Sequence, residues 1–286
     1  MMKVLYALAA LLWLSAAARA EWWAENDYAL GSDRFQKESL TLFSKITPRV
    51  MSGINASFYK DGGIYSDKVY ALRLPVMYSP SKFVLSVTPF LYPASSAIRS
   101  GASGARVYAL IPVSEGEDES YVHLTLSGAA ARQKTLLALK TGPARETFSE
   151  TAFEAQVEKS FYNQFFFLAS AAGFPKPAKA RNYNLVNPVL DHGDMAYLGT
   201  FKQTTALPEW VGTVQFARNM APDFDSYLYA GFSRISFRGA DDANSLLGGL
   251  KMKINDKSTL DFAYNFYKIN GEAGMNYYRL LMQMFF

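Results

Sequence analysis

Two histidines are the only imidazoles the chain offers for acid–base work. His123 stands in Tyr121-Val122-His123-Leu124-Thr125. A hydroxyl nucleophile needs a positioned base and a third group that orients that base. No serine lies two residues beyond His123, and no orienting partner is visible beside it. The alternation around it makes His123 a polar side chain on one face of a strand, and so a pore-lining candidate. His192 stands in Asp191-His192-Gly193-Asp194. An Asp–His pair can activate water, and two carboxylates with one imidazole can hold a metal, but that ligand set is unspecific. Sequence neighbours also rarely meet in catalytic geometry, and Gly193 marks a turn. No catalytic, metal-binding or cofactor-binding residue is assigned. The chain is expected not to be an enzyme, and no cofactor is implied.

The other charged residues say more. Arg73, Arg106, Lys202, Arg234, Arg238, Lys251, Lys253 and Arg279, with Glu154, Glu158 and Asp261, sit in segments where apolar and polar residues alternate. Period-2 alternation gives a strand with one apolar face. Many of these charges fall near the middle of their segments. If the apolar faces meet lipid, the charges line an enclosed space, in which eight basic residues face three acidic ones. Basic walls concentrate anions, so passage of small, anionic solutes is one expectation. A lumen closed by internal ion pairs, as in a non-conducting structural or assembly barrel, is the second. A secreted soluble β-protein is the third, because alternation alone does not distinguish lipid from a second sheet.

The elements that carry these residues are short and numerous. The clearest is the last. From Tyr278 the even positions read Tyr278, Leu280, Met282, Met284 and Phe286, with Arg279 and Gln283 between them, and the chain stops on the aromatic ring. Upstream, segments of about ten residues recur at Ser258–Ile269, Ser245–Ile254, Asp225–Arg238, Glu209–Asn219, Met195–Thr204, Gln164–Ala172, Thr151–Phe161, Gln133–Lys140, Ser120–Ala130, Ser103–Val113, Lys82–Tyr92, Lys68–Tyr78 and Arg49–Tyr59. In Asp225–Arg238, Tyr227, Tyr229, Ile235 and Phe237 are placed on the apolar face opposite Arg234 and Arg238. That makes about fourteen strands, and strands of about ten residues suit a tilted membrane crossing. Twelve and sixteen are the neighbouring even counts. With the last strand ending in the periplasm, Ser79–Ser81, Ser114–Glu119, Ala221–Asp223 and Asn255–Lys257 become short periplasmic turns. Gly173–Asp194 fits that parity badly, as a long connection on the same side.

Composition agrees. The chain has no cysteine, 21 Phe, 18 Tyr and 50% hydrophobic residues, yet its mean hydropathy is only −0.04. Apolar residues are interleaved rather than pooled, and the most apolar mature run, Phe165 to Phe174, is too short to span a bilayer as a helix. A membrane-embedded form must then be a closed barrel, in which every backbone polar group finds an internal partner. A net charge of +4 is too mild and scattered to argue for nucleic acid. At the start, Met1-Met2-Lys3, the apolar run Val4–Leu14 and Ala18-Arg19-Ala20 have the form of a cleaved secretory signal, with Glu21 the first mature residue. The expected organisation is therefore residues 1–20 as signal peptide, 21–48 as a periplasmic or lumenal segment, and 49–286 as a transmembrane antiparallel up-and-down β-barrel.

With the aromatic-ended last strand in place, the chain resembles the outer-membrane β-barrels of Gram-negative bacteria, porins and channels among them. That resemblance implies an outer-membrane location, contact with outer-membrane lipid, and recognition of Tyr278, Met284 and Phe286 by the barrel-insertion machinery. A second, shorter resemblance lies in Leu72-Arg73-Leu74-Pro75-Val76-Met77-Tyr78-Ser79-Pro80-Ser81 followed by Val87-Thr88-Pro89. It is similar to the Leu-Pro strand-turn-strand of barrels associated with aromatic-compound degradation pathways and covers about twenty-five residues. Those barrels continue with Gly-x-Gly-Asp where this chain has Ser103-Gly104-Ala105-Arg106, so no substrate is carried over.

Overall fold

Strand after strand pairs with its sequence neighbour, and the last returns to the first. The computed structural model describes residues 21–62, 68–94, 101–116, 120–139, 142–162, 164–175, 201, 207–220 and 226–286. The proposed signal segment, His192 with its flanking Asp191 and Asp194, Lys202, and all of the expected strand Met195–Thr204 except Phe201 lie outside them.

The strands are β1 (Trp22–Gly31), β2 (Phe35–Thr47), β3 (Val50–Lys60), β4 (Val69–Arg73 continued by Val76–Tyr78), β5 (Val84–Tyr92), β6 (Gly101–Glu115) and β7 (Tyr121–Leu139), then β8 (Gly142–Phe161), β9 (Phe165–Gly173), β10 (Pro208–Asn219), β11 (Tyr227–Phe237), β12 (Ala243–Asn255), β13 (Ser258–Ile269) and β14 (Met275–Phe285). All neighbouring pairs are antiparallel, and β1 pairs with β14 from Trp23↔Phe285 to Gly31↔Tyr277, closing a barrel of fourteen strands. Closure removes the two free sheet edges that would otherwise present unpaired N–H and C=O groups to lipid. The two pieces of β4 lie along the same neighbours and are divided at Leu74-Pro75. Pro75 brings no N–H, but its carbonyl still accepts from Gly53 N at 2.8 Å, and Leu74 N donates to Pro89 O at 3.0 Å. The ladder is thus bridged rather than broken.

Each strand turns one face outward. Leu85, Val107, Val157, Phe167, Val214, Phe216, Phe232, Phe262, Leu280 and Met282 are all exposed. The alternate positions are buried, and many are polar: Ser39, Thr41, Asn55, Ser127, Glu154, Thr213, Ser233 and Asn265. A soluble sandwich would bury the apolar set against a second sheet. Here the single closed sheet leaves it facing out, as a lipid belt requires. The outward charges Lys159, Arg218 and Arg234 come within a few residues of a strand end, where charge on the lipid side is far cheaper than at the midplane.

The fourteen-strand count agrees with expectation, but three strand assignments change. Residues 22–47, expected within a periplasmic or lumenal segment, form the wall strands β1 and β2, which pair from Gly31↔Phe35 to Trp22↔Ser44. Acidic residues at alternate positions, Glu25 and Asp27, face inward there and masked the strand pattern. Ser120–Ala130 and Gln133–Lys140 merge into β7, because Ala131 and Arg132 continue the ladder opposite Glu150 and Ser149. Among the described residues the sheet passes from β9 straight to β10, with no strand between them. The parity conflict then resolves. The strand ends that bound 174–207 lie at the end opposite both termini, as do those that bound 61–68 and 93–100. The short turns 48–49, 79–83, 116–120, 162–164 and 256–257 share the termini end.

β7 and β8 outreach their neighbours. Pairing of β7 with β6 ends at Lys134↔Gly101, and pairing of β8 with β9 ends at Phe153↔Gly173. Beyond those points the hairpin continues to Leu139↔Gly142. Strands of 19 and 20 residues are about twice the 9–11 that a tilted crossing needs.

Candidate functional site: the inner wall of the barrel

Strand parity sends a mixed set of polar, ionic and aromatic side chains into the lumen. Their hydrogen bonds run from strand to strand around the wall. Asn55 Nδ2 donates to Ser39 and Thr41, both at 2.7 Å. Arg73 reaches inward from β4 and donates to Asn55 Oδ1 (3.0 Å), Ser57 Oγ (2.8 Å), Tyr59 OH (3.1 Å) and Tyr92 OH (2.7 Å). A planar guanidinium carries five N–H donors, which is why one Arg can tie three strands together. Farther round, Gln283 Nε2 donates to Glu25 at 2.9 Å and Lys37 pairs with Asp27 at 2.6 Å. Arg279 pairs with Asp261 at 2.6 Å, and the Tyr229 hydroxyl donates to the other oxygen of that carboxylate at 2.7 Å.

The wall changes character along the axis. Toward the end opposite the termini, the inward side chains Phe35, Val69, Tyr92, Val211, Ile235, Tyr267 and Tyr277 are each at most 2% exposed and belong to one apolar cluster. Phe201, from the connection between β9 and β10, packs against this cluster. Its N–H donates to Asn265 Oδ1 at 3.3 Å, and the Arg279 guanidinium lies 5.1 Å from its ring centre. A residue from that long connection therefore touches the inner wall of β13 and β14.

Toward the termini the wall opens into a recess of about 220 Å³, lined by Tyr121, Glu158, Phe166, Leu168, Gln215, Ala217 and Tyr227. Aromatic rings follow one another along it. His123 stacks on Tyr121 at 4.1 Å, Tyr121 lies 6.4 Å from Phe166, Phe166 6.4 Å from Tyr227, and Tyr227 6.0 Å from Tyr229. The Tyr121 hydroxyl donates to Glu158 at 2.5 Å, and Lys251 Nζ lies 5.7 Å from the Tyr227 ring centre.

Of the pore-lining candidates, Arg73, Arg106, His123, Lys251, Lys253 and Arg279 share the inward face. Arg234 and Arg238 do not. Arg234 is paired with Gly212 and Asn244 on the outward parity and bonds Asp242 at 3.0 Å. Arg238 follows β11 at the rim, where it bonds Glu209 at 2.9 Å and the Phe174 carbonyl at 2.8 Å. The parity of β11 is the reverse of expectation. Tyr227, Tyr229, Ile235 and Phe237 point inward, while Leu228 and Phe232 are exposed outward. Large aromatic residues at alternate positions fit a lipid face, but these pack the lumen. Asp242, in the β11–β12 connection, is held below the usual carboxylate range, first by the Arg234 hydrogen bond and then by Ser236.

The expected basic excess also shrinks. Glu25, Asp27 and Glu150 join Glu154, Glu158 and Asp261 on the inner wall, while Arg234 and Arg238 leave it and Lys37 and Lys45 enter it. In β2, Ser39 and Thr41, which pair across the ladder with Asp27 and Glu25, alternate with Leu40 and Leu42, and that was the signal that could have placed the first two. Tyr278, Met284 and Phe286 lie on the outward face of the last strand and just beyond it. Phe286 stacks on Trp22 with ring centres 3.9 Å apart, and its N–H donates to Trp22 O at 2.9 Å. Among the described residues, no cluster of three or more His, Asp or Glu side chains is placed to hold a metal.

No protein-family model matches the chain, and no curated protein matches it. Solved structures do. OprB of Pseudomonas putida aligns over 93% of this chain and 94% of its own, with a TM-score of 0.50 at 9% identity. CdiB from Acinetobacter baumannii aligns over 94% of this chain and 60% of its own, with a TM-score of 0.51 at 10% identity. At that identity the likeness is one of fold, the fold of the outer-membrane β-barrels of Gram-negative bacteria.

Proposed function

We propose that this barrel is a non-enzymatic conduit of the outer membrane through which small solutes pass. The observation that supports it is the recess between Tyr121 and Tyr227. It is a space of about 220 Å³ in a wall whose polar groups otherwise serve one another, and it is lined by aromatic, amide and carboxylate side chains. Preference for anionic solutes rests on Arg106, Lys251 and Lys253. It is weak, because Glu150, Glu154 and Glu158 stand on the same wall and offset the local potential. A second reading is favoured by a different observation. The apolar inward cluster lines the half away from the termini and Phe201 packs against it, as suits a non-conducting structural barrel. Insertion through Tyr278, Met284 and Phe286 is common to both readings.

Planar-bilayer recording of the purified mature chain tests this. A conduit gives unitary conductance and a reversal potential close to zero in a salt gradient. Lys251→Glu with Lys253→Glu moves that potential toward cation preference. A silent parent, and a silent Phe201→Ala variant, would remove the conduit and leave the structural barrel.

A further inference from the structure

One charge, Glu158, lines the recess, and a second of opposite sign, Lys251, stands beside it over the Tyr227 ring; neither has an ionic partner among the described residues. Glu158 accepts one hydrogen bond, from the Tyr121 hydroxyl, and no cation lies within ion-pair distance of it among the described residues. Lys251 lies over the Tyr227 ring and likewise makes no ion pair among the described residues. This contrasts with the neighbouring wall, where Arg279 is joined to Asp261 and Lys37 to Asp27. An unneutralised charge facing a lumen costs little while water solvates it, and it becomes a recognition group once a solute displaces that water. The rings of Tyr121, Phe166 and Tyr227 follow one another along the recess with neighbouring centres 6.4 Å apart, Glu158 bonded to Tyr121 at one end of the series and Lys251 over Tyr227 at the other. Ring faces take planar apolar bodies by stacking and cationic heads through the quadrupole. The space, about 220 Å³, falls below the roughly 300–1,000 Å³ of pockets for drug-sized ligands, which sets the guest at the size of an amino acid.

We propose that this recess binds a small planar zwitterion with its charges at opposite ends. The cationic end meets Glu158, the planar body lies against Tyr121, Phe166 and Tyr227, and the carboxylate meets Lys251. The assignment rests on the conduit reading, since it names the class of solute the lumen admits. It is not a catalytic assignment, and no bond is made or broken.

The probe is 4-(aminomethyl)benzoate, with benzylamine and benzoate as its two halves. Binding is measured by calorimetry on the folded, heat-modifiable barrel in detergent, independently of conductance. The parent is expected to bind the zwitterion at least tenfold more tightly than either half. Glu158→Gln lowers zwitterion and benzylamine affinity at least fivefold and leaves benzoate unchanged. Lys251→Met does the converse. The site is overturned if the three probes bind alike, if none binds, or if both variants keep the zwitterion affinity within twofold. The comparison among probes on the parent stands even if one variant fails to fold. Binding without conductance keeps the site and removes the conduit. Conductance without binding removes the site and keeps the conduit.

Discussion

Removing Arg279 or Asp261 singly should destabilise the barrel far more per residue than removing both together. At 2.6 Å two unit charges attract by about 6 kcal/mol at an effective dielectric of about 20. Most of that is offset by the desolvation both ions suffer. The side chains are 23% and 11% exposed, so the pair is screened far less than a surface bridge. Loss of one partner leaves an uncompensated charge and costs about 3–5 kcal/mol. In Arg279→Met, Asp261 keeps the Tyr229 donor alone among the described residues, and the cost falls near the lower bound, about 3 kcal/mol. In Asp261→Asn, Arg279 keeps the Tyr229 oxygen at 3.5 Å and the Phe201 face, with a similar cost. The double variant leaves no stranded charge, and its loss should fall short of the sum of the single losses by about 2–3 kcal/mol. Urea unfolding of the barrel in phospholipid vesicles, followed by tryptophan fluorescence, measures all four corners of the cycle. Additivity within about 0.5 kcal/mol would refute the pairing as the source of the stability.

Other perturbations have equally definite outcomes. Gly104→Ala should cost about 1–3 kcal/mol in the same unfolding assay, because its new Cβ would meet Ala130 O at 2.2 Å and Phe90 Cζ at 2.5 Å; an unchanged midpoint would show that the sheet yields there. Phe286→Ser should reduce the heat-modifiable fraction of the expressed chain on a gel, since it removes both the terminal ring and its stack on Trp22. The Arg234–Asp242 latch depends on a carboxylate whose pKa is depressed in the folded chain. Its contribution is therefore present above the unfolded value of about 3.9 and disappears as pH falls through the lower, folded value. Amide exchange of residues 238–242, corrected for intrinsic rate, should quicken across that acid window, and Asp242→Asn should abolish the pH dependence.

The barrel was legible in the sequence because lipid enforces a strict rule. Leu260, Phe262, Tyr264 and Phe266 alternate with Asp261 and Asn265, and the structure keeps that alternation face for face. The rule fails where the lumen is itself apolar. Tyr227 and Tyr229 pack inward against Phe166 and Asp261, so hydrophobicity no longer reports direction, and Arg234 was sent to the wrong side. It fails again where both faces are partly polar, as in β1, whose Asn26 alternates with Glu25 and Asp27 without contrast. The recess was beyond reach for a different reason. Tyr121, Glu158, Phe166 and Tyr227 come from four strands, and only the register of the ladders brings them together. The length of β7 was likewise hidden, because a strand that leaves the membrane needs no lipid face and its pattern dissolves after Arg132.

The overreaching hairpin divides a single strand into two mechanical regimes. From Phe153 to Phe161, β8 is gripped on both sides, by β7 and by β9. From Gly142 to Ala152 it holds only β7 among the described residues. A two-stranded ribbon is marginal on its own in water, so deuterium uptake should change abruptly near Phe153 along an uninterrupted backbone, slow in the part bound on both flanks and fast above it. The boundary would mark, from protein chemistry alone, where the barrel ceases to be a wall and becomes a free-standing projection.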